Sequence, residues 1–473
     1  MRRGEFWTAE SVRTAIGGSW VQRSDAQPAL VGGAAIDTRA LNPGEVFFAL
    51  RGEQTDGHRY LRHAHEAGAA LAIIDDVEAA GELPAGLGVL RVGNARLALG
   101  RLAGAYRATL GSVRTIAVTG SNGKTTTTRM IDACLRTALR GHCSPKSYNN
   151  DLGVPLTVLG AQPGGQYLLC EVGANDPGEI EPLSRIVRPH VVVITSIGSA
   201  HLEGFGTLEA IAAEKASLAA HLEPGGLVVL SADAPELALW RDRFERVLTF
   251  GTSPEADLRV SHIEQGPTEL IFLLNERESF SVPMLGEHNA CNAAAAIAVA
   301  RRVGVADEAI REALAGCTPP AMRLSRENIG GIEIINDAYN ANPDSMLAAL
   351  RTLRDMAPPG SRRVAVLGDM LELGEAGPDA HRQIGREIAV EHLADVVVLV
   401  GPLAALAGET LRVSGIEVVA IEDLPDSGVA GVASVCEPGD TVLLKGSRSI
   451  GLERVVEAFR LSGTEASNPG GRG

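Results

Sequence analysis

The stretch Thr115–Thr128, "TIAVTGSNGKTTTT", decides how this chain is read. An apolar, β-branched run ends in a glycine turn, and Gly-Lys-Thr follows where a helix should begin. Backbone N–H groups from Gly120 to Lys124 would face one concavity at that helix N-terminus, where partial positive charge draws phosphate oxygens. The usual phosphate loop has four residues between its first glycine and the Gly-Lys pair. Here only Ser121 and Asn122 separate Gly120 from Gly123. The competing reading is an ordinary glycine turn capping a helix, and it gives no reason for Gly-Lys-Thr directly after a strand. The stretch therefore reads as a shorter phosphate loop, with Lys124 reaching the β- and γ-phosphates and the Thr125 hydroxyl holding Mg²⁺.

Outward from the loop, strands and helices alternate: "YLLCEVG", "HVVVITSIG", the helix "LEAIAAEKASLAAHL", then "GGLVVLS". Such alternation implies βαβ units and a parallel sheet, whose strand C-termini form the ligand edge. Glu171 ends one strand and His201 follows another, so both should meet near the phosphates. Glu171 is a hard oxygen ligand suited to Mg²⁺. A lone histidine after a strand is otherwise a plain loop residue. Lys215 lies mid-helix beside Glu214, which would suit a solvated surface. Yet the chain has only four lysines, Lys124, Lys146, Lys215 and Lys445, against 39 arginines. A lysine kept against that bias marks a place where a guanidinium cannot serve.

At 473 residues the chain is too long for one core. Three segments are expected: residues 1–108, 109–318 and 319–473. The first is a small α/β domain with strands in "GGAAIDTR", "EVFFAL" and "LAIID", and the helix "NARLALGRLAGAYRATL" leads out of it. The second is the parallel-sheet domain of the phosphate loop, followed by "FERVLTFG", "LRVSHIEQ" and "LIFLLNE" as antiparallel strands and by the buried helix "NACNAAAAIAVARRVG". The third, with "GIEIINDAY", "RRVAVLGD", "DVVVLVG", "IEVVAI" and "DTVLLKGS", is a Rossmann-like doubly wound sheet. The polar tail 461–473 reads as disordered. A net charge of −15 argues against a nucleic-acid surface. The start "MRRGEFWTAESV" is no signal peptide, and no apolar run reaches membrane-span length. The cysteines have no metal-ligand spacing and suit reduced thiols in a cytoplasm.

Taken in order, the motifs resemble those of the Mur ligases of peptidoglycan synthesis, which are ATP-dependent amide ligases with a short Gly-x-x-Gly-Lys-Thr loop. "DTRALNPGEVFFALRGEQTDGH", "NNDLGVPLTVL", "EVGANDPGEI", "HLEGFGTLEAIAAEK" and "GEHNACNAAAA" carry the likeness through the first two segments. "NDAYNANPDSM", "VAVLGDMLELG" and "LLKGSRS" extend it through the third, and resemble most the last ligase of the series, which joins D-alanyl-D-alanine to UDP-N-acetylmuramoyl-tripeptide. The resemblance implies a UDP-substrate domain, a central ATPase domain and a C-terminal domain that closes over ATP. It implies ATP contacts at Gly120, Ser121, Asn122, Gly123, Lys124, Thr125 and Thr126. Asn292 would meet adenine with support from Asn289, Arg323 a phosphate, and Asp337 the ribose. Substrate contacts are implied at Thr38, Arg39, Asp56 and His58, at Lys146, Asn149, Asn150 and Thr157, and at Tyr339, Asn340, Asn342, Lys445, Ser447 and Arg448.

The same resemblance implies two Mg²⁺ ions on Thr125, Glu171, His201 and Lys215, with Lys215 carrying a CO₂-derived carbamate. A neutral amine can add CO₂, whereas arginine stays protonated. Lys124, Glu171, His201 and Lys215 form the expected catalytic set, in a cytoplasmic monomer. No residue stands out as a general base for the incoming amine. A sibling ligase adding a single amino acid, a folylpolyglutamate synthase and a non-catalytic nucleotide module are the alternatives. The first-segment UDP stretch opposes the second of these, and the third would need no substrate domain.

Overall fold

The computed structural model describes residues 6–24, 30, 32–145 and 147–466. Lys146 and residues 467–473 lie outside the described residues. The described residues form three sheets, with five, nine and six strands.

The first sheet runs in the order Ser19–Gln22, Gly88–Arg91, Leu71–Ile74, Val46–Phe48, Ala34–Ala35. All its pairs are parallel except the first. The expected strand in "GGAAIDTR" shrinks to Ala34–Ala35, because its glycines and the following turn leave little to pair.

In the middle sheet the loop strand Arg114–Thr119 lies between Tyr167–Glu171 and Val191–Ile194, parallel to both. Register pairs Val118 with Glu171 and Thr119 with Ile194, so Glu171 and the chain leading to His201 emerge beside the loop. The alternation of strand side chains divides the core between two faces. Ile116, Val118, Leu169 and Val193 pack under the helix Lys124–Arg136 and the alanine-rich helix His288–Arg302. Ala117, Leu168, Cys170 and Val192 face the other way, against the helix Ala95–Thr109. That helix also packs on Val46, Phe48 and Leu71, so one apolar cluster runs from the first sheet into the second. Its Tyr106 hydroxyl donates to Ala161 O at 2.7 Å and its Arg107 Nε to Val187 O at 2.8 Å.

One expectation about this sheet needs correction. Val247–Gly251 pairs parallel with Leu227–Ser231, and Leu258–Gln265 begins parallel to Val247–Gly251. Only Leu270–Leu274 and Glu278–Val282 continue antiparallel. The reason is the short helical crossover Pro235–Leu237 and Ala238–Arg241, which returns the chain to the same end of the sheet.

The third sheet runs Ser325–Ile329, Ile332–Asn336, Thr441–Lys445, Arg363–Gly368, Val396–Val400, Glu417–Ile421, parallel except at its first pair. The helix Glu453–Ala466 reaches into the segment 461–473, with Val455, Val456 and Phe459 anchoring its apolar face on this sheet, and the rest of that expected tail lies outside the described residues. Among the described residues no helix is long and apolar enough to cross a membrane.

Candidate active site

The loop between Arg114–Thr119 and Lys124–Arg136 leaves no room for side chains at its glycines. Gly120 has φ 143° and Gly123 has φ 81°. A Cβ on Gly120 would lie 2.0 Å from Thr195 Oγ1, and one on Gly123 2.4 Å from Asn292 Oδ1. The segment after Val191–Ile194 laces the loop in place. Thr195 Oγ1 donates to Asn122 O, Asn122 N to Ser196 Oγ at 2.9 Å, and Gly198 N to Ser121 Oγ at 2.9 Å. No side chain caps the Lys124–Arg136 helix, so its first N–H groups are left for an anion.

Lys124 folds back over this loop and donates from Nζ to Gly120 O at 2.7 Å and Ser121 O at 3.2 Å. It keeps some exposed surface but sits enclosed in the crevice. That desolvation lowers its pKa to about 8, opposed by Glu171 and aided by Arg323. Thr126 is buried in the first turn of the same helix.

Glu171 is 1% exposed. Its Oε1 accepts from Asn149 Nδ2 at 3.0 Å, while Oε2 is buried with no partner among the described residues. An orphaned carboxylate oxygen is costly unless a cation or water meets it. Lys215, on the helix Leu208–Ala216, is 2% exposed, with Nζ 5.6 Å from the Phe205 ring centroid. Burial, then the charge of Lys124, lowers its pKa to about 7. Its neighbour Glu214 is not solvated either. It accepts from Gly178 N and Ile180 N at 2.8 and 2.7 Å, at the start of the helix Ile180–Val187.

His201 has Nδ1 2.6 Å from Glu372 Oε2 on the third domain, close but off the direction of a hydrogen bond. That contact holds the Glu372 carboxyl below its usual range. No cluster of three or more His, Cys, Asp or Glu side chains that could hold a metal forms among the described residues. The expected metal set contains only Glu171 and His201 from those types, joined by a hydroxyl and a lysine.

The third domain reaches the loop at several points. Arg323 stacks 4.3 Å over Tyr339 and donates from Nη2 to Thr125 Oγ1 at 3.1 Å. Asn342, which caps the helix Pro343–Met356, donates to Asn122 Oδ1 at 2.8 Å. Ser199 N donates to Asp344 Oδ2 at 3.1 Å. Register places Leu444 beside Asn336 and Lys445 beside Leu367. Lys445 Nζ therefore meets Asp337 Oδ2 at 2.6 Å and Asn340 O at 3.0 Å in a buried pair.

The descriptions "Mur ligase family, catalytic domain", "Mur ligase middle domain" and "Mur ligase, glutamate ligase domain" match residues 31–107, 118–300 and 322–448. UDP-N-acetylmuramoyl-tripeptide–D-alanyl-D-alanine ligase of Bacillus subtilis (strain 168) is 36% identical over 432 residues, 90% of this chain and 93% of its own. The chain belongs to the Mur ligase family. A crystal structure of MurF from Acinetobacter baumannii has TM-score 0.85 at 31% identity, covering 96% of this chain and 99% of that one. The MurF ligase of Thermotoga maritima in complex with ADP has TM-score 0.78 at 27% identity, covering 94% and 100%.

Other residues expected from the Mur ligase likeness are engaged inside the protein. Asn292 donates to Asn289 Oδ1 at 2.8 Å and accepts from Thr127, and Asn289 donates to Leu285 O, so this pair braces the alanine-rich helix on the loop helix. Thr157 is buried, with its hydroxyl given to Gly153 O at 2.9 Å. Asn150 caps the turn at Leu152 and Gly153. Ser447 Oγ accepts from Leu371 N, and Arg448 pairs with Glu453. In the first domain Arg39 pairs with Asp37 and Thr38 lies half-buried in the same turn. Buried His58 sits between Asp56 at 2.6 Å and Asp75 at 3.2 Å.

Sequence reasoning passed over Thr195, Ser196, Asp344 and Glu372 as contacts of this Mur ligase site. Asp344 and Glu372 lie inside motifs already singled out. Thr195 and Ser196 were marked only by following a strand on the ligand edge.

Proposed function

We propose that this chain is an ADP-forming amide ligase that joins D-alanyl-D-alanine to UDP-N-acetylmuramoyl-tripeptide in peptidoglycan precursor synthesis. The observation that carries the reading is the short phosphate loop, with the buried Glu171 carboxylate on its sheet edge, buried Lys215 within reach of the Lys124 charge, and Arg323 from another domain on Thr125. The names of the relatives and the ADP held by one of them support it.

In this reading the tripeptide carboxylate attacks the γ-phosphate of ATP, giving an acyl phosphate and ADP. The amine of D-alanyl-D-alanine then attacks the acyl carbon and phosphate leaves. Two anions must meet in the first step, so neutralising charge is the main task. Lys124 would leave the loop carbonyls for the phosphates, and the free N–H groups of the helix start would hold phosphate oxygens. Arg323 would move from Thr125 to a phosphate. Asp337 and Lys445, paired in the third domain, would serve ribose and substrate. The Asn122–Asn342 and Ser199–Asp344 contacts would keep that domain closed and water away from the acyl phosphate.

Mg²⁺ fits the residues present, because Glu171 Oε2 is buried beside the loop without a partner among the described residues. Thr125, Glu171, His201 and a carbamate on Lys215 would hold two ions. Such ions supply positive charge between the triphosphate and the attacking carboxylate. With its pKa near 7, Lys215 presents a neutral amine that can add CO₂, forming the N–C bond and releasing one proton. The protein acts in this reading as a cytoplasmic monomer, and its free thiols suit a reducing compartment.

ADP release measured with each candidate amine tests the assignment. It should require both the UDP-linked tripeptide and D-alanyl-D-alanine. Release that depends instead on glutamate or a single diamino acid would defeat it.

A further inference from the structure

Glu372 belongs to no group that the reaction above needs, yet it is aimed at one that does. The loop carrying it follows the strand Arg363–Gly368 and is fastened along its length. Ala404 N donates to Asp369 Oδ1 at 2.7 Å, Met370 N to His381 Nε2 at 2.9 Å, and Leu371 N to Ser447 Oγ at 2.9 Å. Glu372 itself has φ 63°, and His201 opposite has φ 58°. Neither is glycine, so both backbones hold conformations that side chains normally avoid, as occurs where a tertiary contact over-determines a site. The backbones meet as well: Glu203 N donates to Glu372 O at 3.3 Å. A Cβ on Gly374 would lie 3.1 Å from Glu203 Cγ, so the two loops approach closely. His201 Nε2 makes no hydrogen bond or ion pair with the described residues, while Nδ1 is 2.6 Å from Glu372 Oε2 in an ion-pair contact that is not aligned as a hydrogen bond.

We propose that Glu372, held against His201 Nδ1 across the domain boundary, is a positioning residue that turns to accept the Nδ1 proton when a cation is bound, leaving Nε2 as the nitrogen able to ligate a divalent cation. A carboxylate behind a ligating imidazole sets the tautomer, restrains the ring and raises its basicity. Because the carboxylate comes from the third domain, the imidazole is prepared only while that domain is docked. Seating of the third domain and cation binding in the second are thereby coupled. The inference rests on the reading of His201 as a metal ligand.

The test is Mn²⁺ binding to the full chain with a non-hydrolysable ATP analogue, followed by the electron paramagnetic resonance of free Mn²⁺. Glu372→Ala should weaken one Mn²⁺ site about 10-fold. Glu372→Gln, whose amide oxygen still accepts from Nδ1, should recover most of that loss. In a His201→Ala background, Glu372→Ala should weaken binding no further. Glu372 is exposed enough for both variants to fold, and thermal melting checks that they do. Parent-like Mn²⁺ binding by Glu372→Ala overturns the inference. So does an equal loss in the His201→Ala background, which would mean that the carboxylate acts only by docking the domain. If His201→Ala itself binds Mn²⁺ normally, the ligand reading falls and this inference with it. Ligase activity with D-alanyl-D-alanine is decided separately by the acceptor assay.

Discussion

Lys215 shows how far burial changes a side chain's chemistry. Its pKa near 7 lies well below the 10.5 of a free lysine. Below about pH 7 the amine is charged in both folded and unfolded protein, and the whole burial penalty applies. Above that, the folded state sheds its proton first and stability rises with pH towards 10.5. At roughly 1.4 kcal/mol per pH unit, the penalty at about pH 6 exceeds that at about pH 8.5 by about 2 kcal/mol. Lys215→Met should therefore stabilise the protein more at the lower pH, by about that difference in denaturant unfolding. An equal gain at both values would show that the amine is not titrating there. Lys215→Ala should lose ligase activity and regain part of it with added short-chain carboxylates, if a carbamate is what the site uses. Full activity without additive would remove the carbamate from the mechanism.

At the scale of elements, the strand–loop–helix unit stands on two glycines, and Lys215 is held on a helix with its own cap. Gly123→Ala must force its Cβ against Asn292 Oδ1 at a positive φ, and either the loop or the alanine-rich helix has to give. A loss of roughly 1–3 kcal/mol in stability and a marked rise in the Kd for ATP are expected. Calorimetric titration of ATP would check this, and parent-like affinity would mean that the loop relaxes freely. The helix Leu208–Ala216 is capped by Thr207, whose Oγ1 accepts from Ala210 N at 3.1 Å. Thr207→Ala should cost about 1 kcal/mol of stability. Chemical denaturation measures it, and no change would show that packing alone holds the helix start.

For the whole molecule, the docked third domain depends on small polar contacts at the loop. Asn342 both caps its own helix and pairs with Asn122, so truncating it mixes two effects. Asn342→Ser separates them, because serine still caps but is too short to reach Asn122. Folding stability should then stay within about 0.5 kcal/mol, while the radius of gyration in X-ray scattering rises and ATP binding weakens several-fold. An unchanged radius of gyration would mean that the amide pair does not hold the domain.

The phosphate loop, its flanking strand and helix, and the order of three α/β units were legible because each rests on local pattern: β-branched runs, glycines at a turn, helical periodicity. The placing of Glu171 and His201 was legible for a related reason, since a parallel sheet puts its strand ends on one edge. The direction of Val247–Gly251 was not, because the crossover before it is two short helical turns with little periodicity of their own. The sharing of Ala95–Thr109 between two sheets was hidden as well, since its apolar face does not name its partners.

The residue types and their spacing determined by themselves that this chain has a short phosphate loop followed by a lysine and a threonine hydroxyl, because that signal lies within a dozen consecutive residues. Only the tertiary structure decided which side chains stand unpaired and which are engaged. It left Glu171 Oε2 without a partner among the described residues, buried Lys215 until its charge became costly, gave Thr157 and Asn292 to internal contacts, and set Glu372 against His201. Partnership and burial arise between residues far apart in the chain, and no local pattern records them.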